Sequence, residues 1–213
     1  MGIKVHGATP STATRRVCAC LNEKGLDYEF ILVDMRAGEH KKDPFLSLQN
    51  HLLIFINFSH AAIWSSARFL RWRPEAFWAI NRYIAYTYAD NGAPLVSQNP
   101  KEMASEFVWM DVEALRYDLP ASKLAWELSF KPKMGMPADD VVVEENLSLL
   151  SKVLDVYEAR LTQSKYLAGN SYTLADLNHL PTLSYLMETR AKAVFYSRPH
   201  VRAWCENILE RTA

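Results

Sequence analysis

Thr9-Pro10-Ser11-Thr12-Ala13-Thr14-Arg15-Arg16-Val17 is the stretch on which the fold of this chain turns. It follows a short apolar run, Ile3 to His6, and leads into a segment whose apolar residues recur with helical spacing. It reads as the loop that leaves a first β-strand and starts a first helix. Pro10 stops the strand, because it has no N–H for a ladder. Ser11 or Thr12 can cap the helix, since a side-chain oxygen accepts from the free N–H groups of the first turn. A helix start also carries partial positive charge, which favours a carboxylate, a phosphate or a thiolate. A hydroxyl there can be a cap only, or it can donate to a bound thiolate. These residues alone leave both readings open.

Outward from that stretch, the first 34 residues read as β-α-β. Ile3-Lys4-Val5-His6 is the first strand. Arg15 to Lys24 is the helix, with Val17, Ala19, Cys20 and Leu21 on its buried side and Gly25 as its stop. Leu26 to Val33 alternates as Tyr28, Phe30, Leu32, which is a strand pattern. Two parallel strands with a right-handed crossover are expected. Arg36 to Phe45 is polar and punctuated by Gly38 and Pro44, so it reads as an exposed loop. His40, Lys41 and Lys42 are adjacent cations within it, either a solvated loop or a rim that binds carboxylate.

Beyond residue 78 the pattern turns helical. Ala79 to Tyr88 puts Ile80, Tyr83, Ile84 and Tyr88 on one face. Asp90-Asn91-Gly92-Ala93-Pro94 has the composition of a linker, and the domain boundary is expected there. Three amphipathic helices follow: Met103 to Asp118, closed by Leu119-Pro120; Ala121 to Phe130, stopped by Pro132; and Asp140 to Gln163. Thr173-Leu174-Ala175-Asp176 reads as a capping box, opening a helix to about Thr189 with Pro181 inside it. Pro199 to Arg211 is the last helix.

Composition excludes several classes. The 213 residues hold 24 Lys and Arg against 24 Asp and Glu, so nucleic-acid binding is not expected. The most apolar run, His51 to Ile63, is too short and interrupted to span a bilayer. No secretory leader is read at Met1-Gly2-Ile3-Lys4. Cys18, Cys20 and Cys205 lack paired or metal-ligand spacing, so reduced thiols in a cytoplasmic protein are expected, without a metal site.

The strings GIKVHG, STATRRV, EKGLDYEF, GEHKKDPFLSL, AINRYIAYTY, KVLDVYEARL and YLAGNSYTLADLNHLP together resemble the plant phi-class glutathione transferases. The likeness runs over roughly residues 1–50 and 79–213. It implies an α/β plus all-α fold, with an N-terminal thioredoxin-like domain over 1–90 that binds glutathione. A C-terminal helical bundle over 96–213 would offer the apolar co-substrate site around Phe107 to Tyr117. The implied enzyme conjugates glutathione to small apolar electrophiles, as detoxification, with glutathione as co-substrate and no cofactor. By the same resemblance Ser11 stabilises the glutathione thiolate, and His40 and Lys41 hold a glutathione carboxylate. Thr173 and Asp176 belong to folding. The family's two-fold homodimer is implied as well. A rival class is a non-catalytic carrier of planar apolar ligands such as flavonoids, and a glutathione peroxidase role is a third reading.

Residues 51–78 depart from this pattern. The family segment resembling NPFGQVPxxxDGDLxLFESRAI, with its Gln-Val-Pro and Glu-Ser contacts to glutathione, has no counterpart there. Trp64, Trp72 and Trp78 stand among Arg68, Arg71 and Arg73, and Ser66-Ala67 occupies the place of the Val-Pro pair. Reading the codons of Ala62 to Phe77 one nucleotide later turns Trp64 and Trp72 into glycines and permits PFGQVPGFLDGDLKLF. A retained intron or alternative splicing with a shifted frame is therefore expected. The alternative is a real, divergent insertion. A weakened dimer and impaired transferase activity follow from the loss of those contacts.

Overall fold

The computed structural model describes residues 2–35, 37–39, 42, 55–57 and 76–211, with 55–57 and 76 described by their backbone alone. The chain divides into two compact units, Met1–Ala93 and Pro94–Thr212.

In the first unit, β1 (Ile3–Gly7) pairs in parallel with β2 (Tyr28–Leu32) and antiparallel with β3 (Phe55–Asn57). The order is β2-β1-β3, with Val5 opposite both Phe30 and Ile56. Three residues are too few to show a period, so β3 was not legible in its stretch. Between β1 and β2 runs α1 (Thr12–Glu23), which starts three residues before the expected Arg15 because the Ser11 side chain caps it. Its buried face is Thr14, Arg16, Val17, Cys20 and Leu21. Arg16 is the surprise there, while Ala19 is only half-buried. Phe30 and Leu32 stay exposed, so the alternation in β2 identified a strand but not a core face.

Helix α2 (Ala76–Thr87) buries Phe77, Trp78, Ile80, Asn81, Ile84 and Ala85. The residues after it are tied down rather than loose. Lys24 Nζ donates to the carbonyls of Ala89 (3.3 Å) and Ala93 (2.9 Å), and Ala93 N donates to Glu23 O (2.7 Å). Gly92, at φ +55°, lies so close that a Cβ would come within 2.3 Å of Glu23 O.

The second unit opens with α3 (Pro100–Val112), capped by Asn99. A π-helical turn, Glu113–Tyr117, leads into α4 (Asp118–Ala125), and a second, Trp126–Phe130, into α5 (Lys131–Lys133). The helical path is thus continuous where an end was expected at Leu119-Pro120. Proline lacks the N–H that the carbonyl four residues back requires, and a widened turn just before it absorbs the mismatch. The second π turn stands in the same relation to Pro132. The path ends at Gly135, φ +74°, where Met136 N closes back on Lys131 O (2.9 Å).

Helix α6 (Asp140–Leu161) buries Val143, Leu150, Leu154, Tyr157 and Leu161, as its periodicity predicts. The capping box at Thr173 opens only one turn, α7 (Leu174–Leu177). The single helix expected to Thr189 is interrupted at Asn178-His179 and resumes as α8 (Leu180–Leu186). Pro181 then sits in a first turn, where no N–H is needed. Helix α9 (Lys192–Tyr196), too short for a period, precedes α10 (Pro199–Leu209).

A polar cluster lies inside this unit. Asp176, fully buried, accepts from Leu167 N (3.1 Å), Trp204 Nε1 (2.9 Å) and Thr173 N (3.2 Å). Burial pushes its carboxyl up to about 6, against the pull of those bonds. Tyr157 Oη meets His179 Nε2 at 2.9 Å, and the Trp204 ring stands edge-on to both. Among the described residues, no helix is long and apolar enough to cross a membrane.

Candidate functional site

The site is built at the junction of β1 and α1. Gly7 ends the strand, and a Cβ there would lie 2.5 Å from Thr14 Oγ1. Only glycine lets the first turn of α1 pack so closely on the strand. Ser11 N donates to Ala8 O (2.9 Å), closing the turn that carries Thr9 and Pro10 into the open. Ser11 is extended (φ −69°, ψ 122°), and its Oγ accepts from Thr14 N at 3.3 Å. Ser11 is half-buried, so its hydroxyl is within reach of a ligand.

This geometry leaves the Ser11 proton able to donate. Accepting a bond at the oxygen polarises the O–H and strengthens it as a donor. The first turn of α1 holds no Asp or Glu, so the chain itself does not neutralise the positive helix end. A negative group placed there meets a hydroxyl donor and a helix dipole together, and both favour an ionised thiol over a neutral one.

His40 and Lys41 lie outside the described residues, as do Arg68, Arg71, Arg73 and Ser66-Ala67. Just before them the chain closes a turn. Asp34 N donates to Glu39 Oε2 (2.7 Å), Glu39 N to Asp34 O (3.1 Å) and Lys42 N to Glu39 O (3.0 Å). Gly38, at φ +70°, supplies the left-handed residue the turn requires. In the second unit, Phe107 is half-buried and Tyr117 fully buried on the expected helix. Along the same path Val108, Leu115, Leu119 and Trp126 are exposed.

Sequence reasoning passed over what holds α1 in place. The Arg16 guanidinium, itself buried, lies 4.3 Å from the Phe77 ring centre and 5.5 Å from that of Trp78. Asn81 Nδ2 donates to Arg16 O (3.2 Å), and Cys20 Sγ contacts Asn81 O at 3.8 Å. The available signal was position: Arg16 stands four residues before Cys20, on the apolar face.

Comparison with known proteins gives the lineage. Residues 120–212 match the family model for the glutathione S-transferase C-terminal domain. The chain is 51% identical to glutathione S-transferase PARB of Nicotiana tabacum, over 100% of this chain and 95% of that protein. The crystal structure of glutathione transferase F7 from Populus trichocarpa superposes with a TM-score of 0.88. It is 40% identical and the match covers 98% of this chain and 94% of that one. Glutathione S-transferase I from maize, solved in complex with an atrazine glutathione conjugate, reaches 0.79 at 31% identity, covering 99% and 93%. The N-terminal half therefore carries the thioredoxin-like layer and the rest the helical bundle of that lineage, and the chain belongs to the plant phi-class glutathione transferases.

Proposed function

We propose that this chain conjugates glutathione to small apolar electrophiles, with Ser11 as the residue that favours the glutathione thiolate. The observation that carries the reading is the Ser11 hydroxyl at the start of α1, polarised by Thr14 N and backed by an uncompensated helix end. A free thiol titrates near pH ~8.5, and only its thiolate is nucleophilic. Each pH unit of depression corresponds to about 1.4 kcal/mol of preference for the charged form. The thiol proton leaves to solvent. The thiolate then attacks the electrophilic carbon, adding to it or displacing a leaving anion. Glutathione brings the reactive sulfur, so the protein needs no nucleophile of its own.

His40 and Lys41 complete the site in this reading as the cations that meet a glutathione carboxylate. The maize relative's atrazine conjugate supports the apolar class of the second substrate. Detoxification in the cytoplasm and a homodimer weakened by residues 51–78 extend the same reading. No observation favours the carrier role over the enzyme.

Retention on immobilised glutathione, together with the conjugation rate toward a chlorodinitrobenzene, tests the reading. Retention with measurable turnover, below that of a version carrying the family-like 51–78 segment, is the expected result. Absence of both retention and turnover overturns it. Sedimentation of the two versions tests the dimer, and equal tight dimers would refute the weakening.

A further inference from the structure

We infer that Asn81 is a positioning residue for Ser11, acting through Arg16; the inference rests on the role proposed for Ser11. The two residues stand on different helices of the first unit, and one residue of α1 is gripped twice by α2. Phe77 and Asn81 lie one turn apart on the same face of α2. Phe77, with Trp78 beside it at 4.1 Å, covers the Arg16 guanidinium. Asn81 Nδ2 takes the Arg16 carbonyl at 3.2 Å. A carbonyl has two lone pairs, so it can hold the Asn81 amide and its helical partner together. Asn81 is fully buried, so water does not compete for that bond.

The grip lies little more than one turn behind Ser11. On the other side, Thr14 is pressed against Gly7 at the end of β1. The first half of α1 is therefore held between strand and helix. That leaves the Ser11 hydroxyl few ways to move relative to a ligand. A displacement of about 1 Å at such a group can cost on the order of a hundredfold in rate. The far end of α1 has its own, separate fastening, with Lys24 on the Ala89 and Ala93 carbonyls. Twelve-residue α1 is about 18 Å long, so the two fastenings can be perturbed separately.

The experiment compares Asn81→Leu, Asn81→Asp, Lys24→Met and Ser11→Ala with the parent chain. It reads kcat, the glutathione KM, the pH profile of kcat/KM with a chlorodinitrobenzene, and amide hydrogen exchange. Both Asn81 variants should lose about tenfold in kcat, with the glutathione KM changed less than about threefold. Their rate profile should move to higher pH, because a misplaced hydroxyl stabilises the thiolate less. Exchange should quicken at Thr12 to Arg16 and not at Cys20 to Glu23. Lys24→Met should lower the melting temperature and leave the profile where it was. Should Asn81→Leu prove insoluble, Asn81→Ser is read by the exchange pattern alone.

An unmoved profile in a folded Asn81 variant overturns the inference. So does an equal movement in Lys24→Met, which would mark a general loss of rigidity. If Ser11→Ala is slow while the Asn81 variants match the parent, only the positioning role fails. If Ser11→Ala matches the parent, or neither conjugates, the role proposed for Ser11 fails and takes this inference with it.

Discussion

Two helices of this chain open on a hydroxyl cap, and they differ in everything beyond the cap. Ser11 accepts from Thr14 N at 3.3 Å, and Thr173 accepts from Ala175 N at the same distance. Ser11 is half-buried, and no acidic residue follows it in the first turn. Thr173 is buried, and Asp176 follows it to close the box by accepting from Thr173 N. Asp176 also takes Leu167 N and Trp204 Nε1, so it joins three segments. The same local chemistry thus serves two ends. Where the chain supplies its own anion and seals it from water, the cap is a structural fastening. Where it supplies none and leaves the hydroxyl accessible, the helix start is open to an anion from outside.

The strongest way to break this comparison is at Asp176. Asp176→Ala leaves two backbone N–H groups and the Trp204 indole without their buried partner. The expected loss is about 3–5 kcal/mol in the unfolding free energy of the second unit. Urea unfolding followed by tryptophan emission measures it. A loss below about 1 kcal/mol would mean that the carboxylate is not the fastening.

A pH titration sharpens the same point. Asp176 has a folded pKa of about 6 against an ordinary 3.8, raised by burial. A carboxyl with a raised pKa holds its proton longer in the folded chain than in the unfolded one. Its contribution is therefore full below about pH 4 and is lost as the pH rises through about 6. The loss is on the order of 3 kcal/mol. Asp176→Asn should lack this dependence. The difference in emission between parent and Asp176→Asn should titrate near pH 6, through the bond to Trp204. A difference flat from pH 4 to 8 would contradict the shift.

The smallest effect on folding and the largest on chemistry are expected at Ser11. Ser11→Ala should cost about 0.5–2 kcal/mol of stability as a lost cap. It should slow conjugation by roughly tenfold to a hundredfold, since a hydrogen bond to a charged group is worth about 1.5–3 kcal/mol. Stopped-flow conjugation rates beside thermal melts separate the two numbers. A stability loss without a rate loss would make Ser11 a cap of the Thr173 kind.

Much of the fold was legible in the sequence because its signals are local. Pro10, Ser11 and Gly25 marked the ends of α1, and the Thr173 to Asp176 spacing announced its box. The stripe on α6 appeared because 22 residues hold several periods. The misreadings share a cause in their neighbours. Pro120 reads as a stop until one sees the π turn that accommodates it. Thr173 to Thr189 reads as one helix until His179 is drawn into the core with Tyr157 and Trp204. Phe30 and Leu32 read as core although both are exposed.

By itself the sequence determined where each chemical group stands along the chain: a hydroxyl at a helix start, no carboxylate after it, a glycine where strand and helix must touch. Those are properties of a few consecutive residues, settled by sterics and by the unpaired N–H groups of a first turn. Only the tertiary structure decided which groups lose contact with water. Burial depends on residues far away in the chain, such as Asn81 and Phe77 over Arg16, or Trp204 on Asp176. The energy of a polar group turns on that burial, because an unmade bond costs little in water and 1–3 kcal/mol or so inside. That is why two caps of like sequence became a fastening in one unit and an open helix end in the other.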